Sequence, residues 1–175
     1  GCSAGVWAKL AELGVTALGI PEGYGGLGGG NIDRLVVMQA LGRALALEPY
    51  LACAVLGATA LREAGSEAQK RALLPGVASG EVLLSWAHDE ADGHHSPLWV
   101  ETRARRVGTQ WRLDGHKPLV LHAAASKRCV VSARIEGAPD EERGLALFFV
   151  DPHAAQAGLR PYRLIDDTPA SELTL

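Results

Sequence analysis

The chain has 175 residues, 47% of them apolar, with 20 acidic against 17 basic side chains and a net charge of −3. That length holds one large domain or two small ones and can bury a sizeable core. The charge balance gives no reason to expect nucleic acid or an anionic membrane as partner, and no apolar run approaches the roughly 20 residues of a membrane span.

In chain order, Val6 to Leu13 reads as a helix with Val6, Leu10 and Leu13 on one face and Gly14 as its stop. Residues 18 to 30, LGIPEGYGGLGGG, hold too many glycines for a regular element and predict a tight connection. Asn31 is expected to cap a helix that keeps an i, i+3, i+4 rhythm through Val37, Ala40, Leu41, Ala44 and Leu45 to about Leu47. Tyr50 to Ala64 is small and apolar nearly all round, as for a helix buried between others. Ser66 and Gln69 form a capping-box pattern that opens a fourth helix, expected to end near Leu74 and Pro75.

From Gly80 on the pattern changes. Strands are predicted at Val82 to Ala87, Thr102 to Val107, Trp111 to Leu113, Cys129 to Ala133 and Leu145 to Val150. Weaker strand signals lie at Arg160 to Leu164 and Leu173 to Leu175. The predicted class is α+β: an all-α helical domain over residues 1–79, then an antiparallel barrel-like or sandwich β domain over residues 80–175. The chain opens almost inside a helix and closes on a strand-like tail, so both ends read as cut.

Three cysteines far apart, Cys2, Cys53 and Cys129, fit a reducing cytoplasm and neither a disulfide framework nor a zinc site; no signal peptide is visible. Gly23 to Gly28 matches GxGxxG, but residues 31–47 are one unbroken helical pattern where a dinucleotide fold needs a second strand. His88, Asp89, Glu90, Asp92, His94 and His95 form a polar cluster at the end of the first strand. Adjacent His94 and His95 point apart, so a solvated loop is expected there and no metal. Trp86 and His88 share one face of that strand, which suits either the edge of a flat, partly polar cofactor or a domain interface. Ser85 and Ser96 lack a nucleophile elbow. Arg103, Arg105 and Lys117 read as a solvated face of strands.

The order of these fragments resembles the acyl-CoA dehydrogenase family. The residues carrying the resemblance are Trp7 with Leu10, Leu13 and Gly14; the run Gly19-Ile20-Pro21-Glu22 with Tyr24-Gly25-Gly26; Leu41-Gly42-Arg43; and Gly65 to Lys70 followed by Leu74-Pro75 and Gly80-Glu81. Trp111 to Lys117, Ser126 to Arg134 and Gly144 to Asp151 continue it, so it covers nearly the whole chain. The resemblance implies a helical N-terminal domain, a middle β domain and a C-terminal four-helix bundle. It implies oxidation of an acyl-CoA thioester to 2-enoyl-CoA, with FAD accepting the hydride, in a homo- or hetero-oligomer.

By motif position it places Trp86, His88 and Asp89 of the first β motif, and Leu119 and Leu121 of the second, at the flavin, and His95 at the substrate. Asp89 stands where the family has threonine, Ala91 where it has proline and His95 where it has serine. Leu119 and Leu121 replace a stacking tryptophan and a hydrogen-bonding threonine. The family's catalytic glutamate belongs to the bundle, and no residue here takes that role. The same departures admit an alternative, a non-catalytic partner subunit. A metal-dependent hydrolase using His88, Asp92 and His94 is a third reading.

Overall fold

The computed structural model describes residues 3–94 and 96–175. Helices α1 (Ala4–Glu12), α2 (Asn31–Arg43), α3 (Ala58–Ala64) and α4 (Glu67–Ala78) come first, with a π-helix, Tyr50–Gly57, running directly into α3. The strands are β1 (Leu84–Ala87), β2 (Arg103–Val107), β3 (Gln110–Asp114), β4 (His116–Leu121), β5 (Arg128–Arg134), β6 (Leu145–Val150), β7 (Gly158–Arg163) and β8 (Pro169–Thr174). Helices thus give way to sheet after Ala78, as expected. One sheet has the order β1-β5-β2-β3 with β6 also paired to β5, and a second has the order β4-β8-β7. These are two open sheets and not a closed barrel. Most pairings are antiparallel, but β1 and β2 each run parallel to β5.

The helical layer is tied together at its ends. Gly14, with φ 76, closes α1. The α4 capping box forms as the sequence predicts, with Ser66 Oγ accepting from Gln69 N and Gln69 Oε1 accepting from Ser66 N. The same helix continues one turn past Pro75, because Leu74, Val77 and Ala78 are all buried there and Thr16 Oγ1 donates to the Ala78 carbonyl at 2.7 Å. Trp7 Nε1 donates to the Gly80 carbonyl at 2.9 Å, closing α1 over the end of α4. α2 starts one residue earlier than a cap at Asn31 would give: Gly30 is the cap, and Asp33 Oδ2 accepts from Gly30 N at 2.7 Å. It stops at Arg43, and Leu45 is left-handed (φ 51) and 85% exposed, so the last two apolar positions of the expected stripe are not buried by it.

The glycine-rich stretch is a compact connection between helices. Gly19 N donates to Gly28 O and Gly28 N to Ile20 O, pinching its two ends together. At Gly26 any Cβ would run into the Ile20 backbone carbonyl, so only glycine permits that approach.

The helical core reaches into β1. Val82 and Leu84 pack with Tyr50, Cys53, Ala54 and Leu61. The small residues of the π-helix allow it: a Cβ on Gly57 would lie 2.7 Å from Leu84 Cβ. Cys53 Sγ accepts from Leu84 N at 3.3 Å. Ala87, on the other face of β1, joins Val120, Cys129, Val131 and Leu173 in a separate core. β1 therefore belongs to two layers at once. Among the described residues, no helix is long and apolar enough to cross a membrane.

Candidate functional site

β1 alternates as a strand must, so Trp86 and His88 emerge on one face and are half-buried. Their rings stack, with centroids 5.6 Å apart and planes 21° from parallel. Asp89 follows, also half-buried. Leu119 and Leu121 lie on β4, half-buried, on either side of Val120, whose side chain is in the second core. His95 lies outside the described residues.

The structure lays β4 beside β1, through two residues that were not among the site expectations. Ser85 Oγ donates to the Leu121 carbonyl at 2.8 Å. Lys117 Nζ donates to the His88 carbonyl at 3.0 Å. Lys117 is wholly buried, which corrects its reading as part of a solvated face. An ammonium can leave water only if its three N–H groups find acceptors and its charge a counter-charge. Here all three are used: on His88 O, on Glu90 Oε1 at 2.6 Å and on Ser132 Oγ at 3.2 Å.

Glu90 is equally enclosed, 8% exposed, and is not part of a solvated loop. Thr102 donates twice to its Oε1, from N at 3.0 Å and from Oγ1 at 2.6 Å, and the Glu101 amide donates to Oε2. Burial alone would push this carboxyl up. The hydrogen bonds from Lys117, Thr102 and Glu101 outweigh it and hold the group below the usual carboxylate range. Burial pulls Lys117 down, and Glu90 opposes it. His88 is pulled down by burial first and by the Lys117 charge second, which favours the neutral ring. Its Nδ1 lies 2.9 Å from Ser132 Oγ.

Trp86, His88 and Asp89 thus lie at the end of β1, backed by a buried Glu90–Lys117–Ser132 network, while Leu119 and Leu121 sit on β4 of the second sheet, which meets β1 on its Ser85 and Ala87 face. Ser132 and Thr102 were not foreseen. The available signal was a lone lysine and a lone glutamate, each at the edge of an apolar strand. Among the described residues, no three His, Cys, Asp or Glu side chains converge as a metal would need.

Comparison with known proteins shows what the chain is similar to. Residues 2–81 match the family described as acyl-CoA dehydrogenase, N-terminal domain. The chain is 30% identical over 162 residues to acyl-CoA dehydrogenase FadE12 of Mycobacterium tuberculosis, covering 91% of this chain and 41% of that protein. Among solved structures it is similar to a variant of the Tcur3481-Tcur3483 steroid ACAD, with TM-score 0.86 and 31% identity over 99% of this chain and 46% of that one. It is also similar to an acyl-CoA dehydrogenase complexed with FAD from Bacillus anthracis, with TM-score 0.82 and 25% identity over 97% of this chain and 29% of that one. The chain spans less than half the length of each of these relatives.

Proposed function

The chain belongs to the acyl-CoA dehydrogenase family, and from that premise we propose that it forms one wall of a cleft for FAD and an acyl-CoA thioester. The reaction is α,β-dehydrogenation, carried out in a cytoplasmic homo- or hetero-oligomer. Residues 1–79 and 80–175 act as its helical and β units, coupled through Val82 and Leu84 in the helical core.

The observation that carries this reading is the half-exposed Trp86–His88 ring pair at the end of β1, braced from behind by Lys117 and Glu90. The residues fit a flavin by their chemistry. A flavin has two apolar faces and an edge that carries several acceptors and one N–H. Trp86 and His88 offer a flat aromatic surface, and Leu119 and Leu121 offer apolar contact. A neutral His88 can donate a hydrogen bond, and an ionised Asp89 can accept one. FAD, when bound, supplies the acceptor for the hydride leaving the β carbon. The chain's own groups bind and orient the ring and keep water from its face. His95 is assigned to the substrate by motif position.

Removal of the α-proton needs a carboxylate within reach of that carbon. Glu90 cannot supply it, because both its oxygens are taken by Lys117, Thr102 and Glu101 inside the protein. The test is the visible spectrum of the purified full-length protein: a flavin band supports the enzyme reading. A second reading, a partner subunit without its own flavin, is favoured by Leu121 and Asp89, neither of which can donate where the family's threonines do. It is also in keeping with the paired designation of the Tcur3481-Tcur3483 relative. It expects a colourless protein that takes up no FAD and co-purifies with a flavin-bearing relative.

A further inference from the structure

Ser132 is fully buried, and among the described residues its hydroxyl meets two polar groups, Lys117 Nζ and His88 Nδ1. An ammonium only donates. Ser132 Oγ therefore accepts from Lys117, and its own O–H is left to find an acceptor. His88 Nδ1, 2.9 Å away, is the only one. Were Nδ1 to carry a proton, the hydroxyl would be a buried donor without a partner, an arrangement folded proteins avoid. The polarity of the whole chain is set at its far end, where the Glu90 carboxylate keeps Lys117 charged.

We propose that Glu90, Lys117 and Ser132 act as positioning residues that fix His88 as the neutral tautomer protonated on Nε2, and that this N–H donates to an acceptor on the flavin ring. This rests on the flavin reading above and supplies what that reading lacks. Asp89 and Leu121 stand at the two positions where a hydroxyl donor is expected, and neither can donate. His88 is next to Asp89, on the Trp86 face, where its ring N–H joins the Trp86 indole N–H as a side-chain donor.

The direction of the ring's titration agrees. Burial and the Lys117 charge both disfavour a second proton on the ring, while Asp89 and Glu90 oppose them without reversing the direction.

The test uses the full-length protein with selectively labelled histidine. Nitrogen NMR of the imidazole reads the tautomer without flavin, and a fluorescence titration reads FAD affinity. The expected result is an Nε2–H ring at pH 6.5, with Ser132→Ala introducing a substantial Nδ1–H population. His88→Phe keeps a ring against Trp86 but loses the donor, and weakens FAD binding about tenfold, the equivalent of one lost hydrogen bond. His88→Gln, whose amide nitrogen reaches the Nε2 position, stays within about threefold of wild type. An Nδ1–H or charged ring, or equal affinities for the Phe and Gln variants, overturns the inference while leaving flavin binding intact. An Nε2–H ring in a protein that takes up no FAD overturns the flavin reading, and this donor's assignment with it.

Discussion

Lys117 Nζ sits 2.6 Å from Glu90 Oε1, and neither side chain reaches solvent beyond 3% of its surface. The pair joins β4 to the end of β1, the two strands that carry the candidate site. Each of these buried charges would be intolerable without the other. Glu90→Gln or Lys117→Met alone leaves a buried charge uncompensated and is expected to cost about 3–5 kcal/mol, read by urea unfolding. The double variant Glu90→Leu/Lys117→Met is expected to recover most of that loss. Additive losses in the double variant would mean the two residues are not coupled.

Acid is expected to destabilise the fold in two steps. His88 and His122 both have folded pKa values lowered from 6.5, burial being the larger cause in each. The unfolded chain therefore binds more protons below pH 6.5, and stability falls as pH drops through that value toward the folded midpoints. Glu90 has a folded pKa below 4.5, so its contribution is present above 4.5 and is lost as pH falls through the folded value. Melting temperature against pH checks this. His88→Gln is expected to shrink the first step to the part owed to His122 and leave the second in place.

Hydroxyl donors can be introduced at the two motif positions. If the cleft takes FAD, Asp89→Thr with Leu121→Thr adds two hydroxyl donors at the motif positions. The expected gain is about 0.5–1.5 kcal/mol for each hydrogen bond, or roughly 5- to 150-fold in affinity together, measured by fluorescence titration. No gain in a folded double variant would place the flavin edge elsewhere.

Burial also decides the thiols. Cys53 and Cys129 are fully buried and their pKa values are pushed up to about 12. Neither is expected to react with a thiol reagent in the native protein, and both are expected to react in denaturant, as mapped by mass spectrometry. Native labelling at Cys53 would mean that the contact of the π-helix with Leu84 opens readily.

The sequence displayed what local chemistry controls and hid what distant chemistry controls. α1, the Ser66–Gln69 capping box and the apolar strands β5 and β6 were legible because each signal lies within a few neighbouring residues. β4 was not, since His116-Lys117-Pro118 reads as polar and Pro118 cannot donate to a ladder. In the fold the pairing with β8 shifts register between Lys117 and Val120, and that irregularity accommodates the proline. The burial of Lys117 depends on a carboxylate 27 positions away in the chain. The π-helix was invisible because a stretch apolar on every side carries no period. At the site, the strand alternation of Trp86 and His88 was readable, but Ser132 and Thr102, which orient it, come from other strands.

The central claim is that the face of β1 bearing Trp86 and His88 receives the flavin. The direct measurement is FAD affinity of the full-length protein and its Trp86→Leu variant, with unfolding followed alongside. The account predicts binding by the wild type and about fivefold or greater weakening in a variant that remains folded, from the lost aromatic surface. Unchanged FAD affinity in a folded Trp86→Leu protein would contradict it.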